Sequence, residues 1–280
     1  MHSSLESLDR PIGVVGAGAM GRALLRGLLA GGVPPGQLWA ATHSAGSAAA
    51  VEAELGVTTS VDYAAHVATS DAIVIAVKPQ QVSRVLAVLR TAGLRPTTLV
   101  ISAAAGVSIE RLEAALDPQQ PVVRVMSNTP CFVREGMTAI APGTHARAGD
   151  LELTEQLFSA VGRCLVLDER YFDAVTAISG SGPAYIYLII EALTDAGVRV
   201  GLPRDVALAL VTQTVIGAAK MVEISDRHPA ALRDDVTTPA GCTIGALLVL
   251  EDGKIRSVLA QAVEEATRVL AALQTSPARE

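Results

Sequence analysis

Aromatic residues are scarce in this chain: Phe, Tyr and Trp make up 3% of its 280 residues, while 50% are hydrophobic. A core built from such a sequence is aliphatic and rich in helix. Cysteine is nearly as scarce. Cys131, Cys164 and Cys242 stand far apart and form no CxxC pair, which argues against a disulfide framework and for a reducing, cytoplasmic setting. The five histidines do not fall at metal-ligand spacings, so no metal site is indicated. Positive charge is also short. A net charge of −6 argues against nucleic acid, which needs a clustered basic footprint, and against an anionic membrane surface. Long uninterrupted apolar runs are lacking: the most apolar helical stretch, Ala184 to Leu193, is broken by Glu191 and Asp195 and reads as a buried helix. Residues 1–10 are polar and charged, unlike a signal peptide. The expectation is a protein that meets a small molecule, with neither nucleic acid nor membrane as partner.

What is present starts at Pro11. Ile12, Val14 and Val15 read as a short buried strand, followed by Gly16-Ala17-Gly18-Ala19-Met20-Gly21 and an amphipathic helix that ends at Gly31-Gly32. Strand, glycine turn and helix together give the GxGxxG pattern its meaning. The first glycine permits a tight turn, the second lets backbone approach a pyrophosphate, and the third lets helix and strand pack closely. The helix start adds unpaired N–H groups and the positive end of a dipole. Gly16, Gly18, Ala19 and Met20 are the dinucleotide-binding candidates.

From Ile12 to about Asp168, strand and helix patterns alternate. Strands are expected at Leu38–Thr42, Val57–Thr59, Ala72–Val77, Leu99–Ser102, Val122–Met126, Thr138–Ala141 and Cys164–Leu167. Helices are expected at Ala48–Leu55, Val82–Leu89 and Glu110–Leu116. Continuous apolar strands between helices imply a mostly parallel sheet covered on both faces, a Rossmann-type α/β domain over 1–168. Ligands of such sheets sit at the carboxyl ends of the strands. Three more segments fall there: Thr42-His43-Ser44, Ala76-Val77-Lys78-Pro79 and Ala104-Ala105-Gly106. Lys78 fits two roles equally, a phosphate neutraliser or a solvated loop lysine, and Pro79 can serve only to shape its turn. NAD binding places an acid after the second strand for the ribose 2′-OH. Here Thr42, His43 and Ser44 stand instead. Nothing repels a 2′-phosphate, although no arginine clamps it, so NADPH is expected as cofactor with NADH usable. His43 fits an exposed loop histidine as well.

After Asp168 the pattern becomes all-helical over 169–280. Helices are expected at Tyr171–Ile178, from Pro183 through Ala196, from Arg204 to about Ser225, and over 244–252 and 255–273. So apolar a helical half cannot hide every face in a monomer, which points to intertwined subunits. Ser179–Tyr185, SGSGPAY, fits a close helix crossing. Asp234–Gly245 reads as a polar loop running into a helix, with Thr243 at or near its N-cap. A hydroxyl plus free N–H groups there suit a carboxylate, and an ordinary cap fits the same threonine.

These motifs carry a resemblance. GAGAMG (Gly16–Gly21), AVKP (Ala76–Pro79), AAAGVS (Ala103–Ser108), SNTP (Ser127–Pro130), SGSGPAY, GLPR (Gly201–Arg204) and above all DVTTPAGCTIGALLVLE (Asp235–Glu251) resemble the Δ1-pyrroline-5-carboxylate reductases. The resemblance implies NADPH-dependent reduction of a cyclic imine to L-proline by a Rossmann domain and an interleaved helical dimerisation domain, with dimers often assembled further, commonly into decamers. It implies a site shared between the cofactor domain of one subunit and helical-domain residues that include the partner's. It places the substrate carboxylate on N–H groups of Gly241, Cys242 and Thr243, near Thr238. The Thr243 hydroxyl faces the ring nitrogen as the catalytic candidate, Val236 lines the ring pocket, and Asp235 lies toward the nicotinamide. The family often has Asn where Asp235 stands. Two other readings compete. A related imine reductase or 3-hydroxyacid dehydrogenase would share the architecture, with Lys220 as the lysine for an alcohol proton. A dinucleotide sensor without activity would keep the glycine turn but has no reason for the threonine loop.

Overall fold

The computed structural model describes residues 11–275. Eight strands form one sheet: β1 (Ile12–Val15), β2 (Leu38–Ala41), β3 (Thr58–Ser60), β4 (Ala72–Ile75), β5 (Leu99–Ser102), β6 (Val122–Met126), β7 (Gly136–Pro142) and β8 (Gly162–Val166). Their spatial order is β3-β2-β1-β4-β5-β6-β7-β8. The first six are parallel, β7 runs antiparallel to β6, and β8 runs parallel to β7. The order 3-2-1-4-5-6 is that of the dinucleotide-binding doubly wound fold. The expected Rossmann-type domain is therefore present, and β7–β8 extend it in the opposite direction. The connection from Met126 to Gly136 is too short for a helical crossover, so β7 turns back on β6.

The strands are apolar at every position because both faces are covered, and alternate side chains serve two cores. Ile12, Val14, Ala40, Val74 and Ile101 pack under α1 (Ala19–Ala30) and α6 (Ala148–Ser159), against Leu24, Leu25, Leu28, Leu157 and Phe158. Val15, Ile73, Ile75 and Val100 face the other way, toward α4 (Val82–Thr91) and its Val85, Leu86 and Leu89. Helices α3 (Ala64–Val67) and α5 (Ile109–Glu113) complete this layer through Val67 and Leu112, while α2 (Ala45–Leu55) packs on the α1 side through Val51. The cores are aliphatic, as the composition demands. The single tryptophan, Trp39, lies buried across Gly13, where any Cβ would strike its ring, and donates from Nε1 to Ser70 Oγ at 2.8 Å.

The described residues form two compact units: one ends at Gly180 and resumes at Thr267, and the other is Ser181–Ala266. The sheet-bearing unit thus runs past Asp168. Glu169 pairs with the buried Arg124 of β6 at 2.7 Å and accepts from the Ile109 N–H at 2.8 Å. Arg124 also lies 4.7 Å over the ring of Phe172, which is buried in α7 (Phe172–Val175). Asn128, after β6, donates to the Ser179 carbonyl at 3.2 Å. A π-helical turn, Thr176–Gly180, follows α7 where the sequence suggested a continuous helix to Ile178.

The second unit holds α8 (Gly182–Arg199), α9 (Arg204–Ser225), α10 (Pro229–Asp235), α11 (Cys242–Asp252) and the start of α12 (Ile255–Thr275). Helix α8 runs through Gly197, which was expected to end it. Gly197 sits where its missing Cβ lets Ala207 of α9 approach. An ion pair from Arg204 to Asp195 at 2.8 Å joins the same two helices. Tyr187, Leu188, Leu210, Val249 and Leu250 are exposed. Among the described residues, α9 is long and apolar enough to cross a membrane by length and composition. Ala184–Leu193, expected as a buried helix, instead leaves Ile186, Tyr187, Leu188 and Leu193 exposed in the single chain.

Candidate active site

In the first unit the sheet register brings the expected dinucleotide segments to one edge. Val15 lies beside Ala41 and Ile75, and Ile75 beside Ser102. Gly16, Thr42, Ala76 and Ala103 therefore leave the sheet in one row. Strand order reverses between β1 and β4, which is where ligands of such sheets bind. Gly16 has φ +103°, and a Cβ there would meet the Ala76 carbonyl oxygen and Val77 Cγ1, each at 2.7 Å. The N–H groups of Gly16 and Ala17 both donate to the Ala41 carbonyl, at 2.9 and 3.1 Å. The glycine turn is thereby tied to β2 and β4 at once. Gly21 backs onto the Gly16 carbonyl so closely that a Cβ would not fit.

Gly18 differs from both. It is the N-cap of α1, its backbone is extended, no side chain caps the helix, and a Cβ there would meet nothing within 4 Å. Gly18, Ala19 and Met20 thus surround a helix start open to an approaching group. An anion such as a pyrophosphate fits this donor set: exposed backbone N–H groups at the positive end of a 12-residue helix.

The neighbouring segments carry mixed roles. The Ser44 hydroxyl caps α2, accepting from the Ser47 N–H at 3.3 Å, and it lies 3.0 Å from Ser47 Oγ. Thr42 Oγ1 donates to the Ser44 carbonyl at 3.1 Å, and His43 is exposed. Two serine hydroxyls therefore stand at this helix start. Ser47 was missed because the helix was expected to start only at Ala48, whereas it starts at Ala45 and puts Ser47 in its first turn. Lys78 is exposed, and Pro79 opens a single 3₁₀ turn, Pro79–Gln81. The Ala104 methyl is buried in the core, so only its backbone can face a ligand, while Ala105 and Gly106 are exposed.

The threonine-rich segment belongs to the second unit. It is less of a loop than expected, because Asp234 and Asp235 close the short helix α10. Thr237 Oγ1 donates back to the Arg233 carbonyl at 2.7 Å. Thr238-Pro239-Ala240-Gly241 then form a tight turn, with the Gly241 N–H donating to the Thr238 carbonyl at 3.0 Å. Proline at the second position and a positive φ (+56°) at Ala240 make it type II-like. The Thr238 hydroxyl packs on the Gly241 α-carbon, where a side chain would not fit. Gly241, not Thr243, is the N-cap of α11, and no side chain caps this helix. Thr243 is the second residue inside it. Since the turn engages the Gly241 N–H, the helix start offers the N–H groups of Cys242 and Thr243. Thr243 is half-buried, while Val236 and Cys242 are exposed.

Asp235 has a partner that was not anticipated. Both its oxygens are held by Arg227, at 2.5 and 3.1 Å. This hydrogen-bonded guanidinium keeps the Asp235 carboxyl below the usual carboxylate range. Burial pushes the Cys131 and Cys164 thiols up, which suppresses their reactivity. Among the described residues, no three His, Cys, Asp or Glu side chains gather in a way that could hold a metal.

Known proteins share this arrangement in both parts. The pyrroline-5-carboxylate reductase dimerisation family matches residues 169–273, and the family of coenzyme F420-dependent NADP oxidoreductases matches residues 11–106. A pyrroline-5-carboxylate reductase of Arabidopsis thaliana is 42% identical over 258 residues, covering 92% of this chain and 93% of the relative. The solved structure of a pyrroline-5-carboxylate reductase from Coxiella burnetii superposes with a TM-score of 0.90 at 34% identity, covering 95% of this chain and 99% of that one. The Plasmodium falciparum pyrroline carboxylate reductase, solved with NADP bound, gives 0.85 at 31% identity, with coverages of 95% and 99%. A glycine turn of this form occurs in many dehydrogenases, but matches spanning both units at such identity do not leave the choice open: the chain belongs to the pyrroline-5-carboxylate reductase family.

Proposed function

We infer that this chain reduces 1-pyrroline-5-carboxylate to L-proline, the last step of proline synthesis, with NADPH as the preferred reductant. The observation that carries the reading is the pairing, in one chain of this family, of an open dinucleotide turn at Gly18 with an uncapped helix start at Cys242-Thr243. When bound, the dinucleotide supplies a hydride to the imine carbon, and the ring nitrogen, protonated from water to the iminium, becomes the secondary amine of proline.

The protein's own work is positioning and electrostatics. An iminium already accepts hydride well, so neither a strong acid nor a metal is called for. In this reading the N–H groups of Gly18, Ala19 and Met20 hold the pyrophosphate, and Ala76–Pro79 and Ala104–Gly106 border the rest of the dinucleotide. Thr42, His43 and Ser44, with Ser47, receive the 2′-phosphate. The substrate carboxylate rests on the N–H groups of Cys242 and Thr243, beside Thr238 and Gly241. Val236 offers an apolar surface to the ring, and Asp235 lies toward the nicotinamide. The Thr243 hydroxyl orients the ring nitrogen by a hydrogen bond. An unperturbed threonine hydroxyl is too weak an acid to act as the main proton donor.

The exposed apolar side chains of α8, α9 and α11 support a homodimer formed through the helical unit, with further assembly into a decamer as its extension. In the assembled enzyme the partner's helical residues complete the site. Three free cysteines, with Cys131 buried and Cys164 half-buried, suit a reducing, cytoplasmic setting.

The test is direct. Purified protein is mixed with NADPH and pyrroline-5-carboxylate, and the reduced dinucleotide is followed by its near-ultraviolet absorbance while proline is measured as product. Dinucleotide consumption with stoichiometric proline is expected. No consumption with this substrate, or turnover only of a 3-oxoacid with NADPH (in reverse, a 3-hydroxyacid with NADP⁺), removes the reading.

A further inference from the structure

Arg227 follows α9 and immediately precedes His228, the N-cap of α10. Its guanidinium reaches along the whole of that helix. It holds both oxygens of Asp235, the last residue of α10, and Nη2 also donates to the Ala231 carbonyl at 3.5 Å. Local stability gives no reason for this aspartate. A carboxylate at a helix C-terminus faces the negative end of the dipole, and an exposed ion pair contributes little by itself. The next acid behaves alike: Asp234 is held by Arg233 at 2.9 Å. Both negative charges at the entrance to the threonine-rich turn are therefore matched by arginine.

We propose that Arg227 is a positioning residue for the reduction: by chelating Asp235 it cancels a negative charge beside the turn that receives the anionic substrate, and it fixes the end of α10 from which that turn springs. The proposal rests on the reading of Cys242-Thr243 as the carboxylate receptor. Without Arg227, Asp235 would leave an uncompensated charge three residues ahead of Thr238, next to the turn the substrate must approach. Like charges at such range, part-screened by water, are worth about three- to ten-fold in affinity.

The test is a double-mutant cycle on the intact oligomer: wild type, Arg227→Ala, Asp235→Asn and the double variant, at saturating NADPH and at low and high salt. Arg227→Ala is expected to raise KM for pyrroline-5-carboxylate about five-fold with kcat held within about two-fold, and the penalty should shrink in high salt. On the Asp235→Asn background the same change should do almost nothing further to KM, because no charge is left to cancel. Arg227→Lys, which keeps the charge but not the two-pronged grip, should fall between, and it carries the test if Arg227→Ala does not fold. Equal KM penalties in both backgrounds, an unchanged KM, or a fall in kcat and melting temperature without a KM shift would each overturn the proposal. A wild-type enzyme that fails to consume NADPH with this substrate would instead remove the assigned reaction.

Discussion

The substitution Gly18→Ala separates the dinucleotide turn's binding role from its folding role. Gly18 has an extended backbone that alanine adopts freely, and the added methyl would meet no heavy atom within 4 Å. The N-cap preference for glycine over alanine costs about 0.5–1 kcal/mol, and the loss of chain freedom in the unfolded state returns about 0.4–1 kcal/mol. Stability should therefore stay within about 0.5 kcal/mol, a melting shift under about 2 °C for a unit of this size. Binding should behave differently. The methyl occupies the approach to the Gly18–Met20 N–H groups, and displacing a phosphate from one charge-assisted hydrogen bond costs about 1.5–3 kcal/mol, or roughly 10- to 100-fold in Kd. Gly16→Ala is the matched control. There φ is +103° and the Cβ would lie 2.7 Å from the Ala76 carbonyl, so strain and overpacking together predict about 2–4 kcal/mol of lost stability. Calorimetric titration with NADPH, alongside thermal melts, reads both quantities. If Gly18→Ala binds NADPH as wild type does, the pyrophosphate does not lie over the second glycine and the assignment of α1 is wrong.

Three more substitutions probe the remaining parts. Thr243→Ala removes the hydroxyl proposed to orient the ring nitrogen and should lower kcat/KM about ten-fold, which is one transition-state hydrogen bond; wild-type kinetics would remove Thr243 from the mechanism. Ser44→Asp keeps α2 capped, since aspartate is as good an N-cap as serine, so stability should hold while NADPH affinity falls far more than NADH affinity. An unchanged NADPH-to-NADH ratio would place the 2′-phosphate elsewhere. Glu169→Ala strips the counterion from the buried guanidinium of Arg124 and should cost about 3 kcal/mol in chemical denaturation, somewhat less if the Phe172 ring shelters the charge; a loss below 1 kcal/mol would mean that water already solvates the pair.

Much of the fold was legible because it is written in local patterns. The runs IGVV, AIVI and LVIS are apolar at every position, the mark of strands covered on both faces. Pro203 and Asp226 bracket α9 where the sequence said it would run. What escaped was short or acid-bearing. Helix α6 carries Leu153, Leu157 and Phe158 on its buried side, but its acidic residues masked that spacing. Helices α3 and α10 are too short to stand without tertiary support. The site divided in the same way. The glycine turn and the uncapped helix start lie in contiguous sequence. Ser47 fell just ahead of the helix expected from Ala48, and no local spacing joins Arg227 to Asp235.

By itself, then, the sequence determined the strands and most of the longer helices, the parallel, two-sided character of the sheet, and the glycine turn at Gly16–Gly21, because each depends on residues within a few positions of one another. Tertiary structure decided the reversal of β7, the continuation of the sheet-bearing unit past Asp168 through Glu169 and Arg124, the loss of the Gly241 N–H to its own turn, and the grip of Arg227 on Asp235. Each of these depends on where a folded backbone carries a side chain or an amide, and spacing along the chain does not encode that.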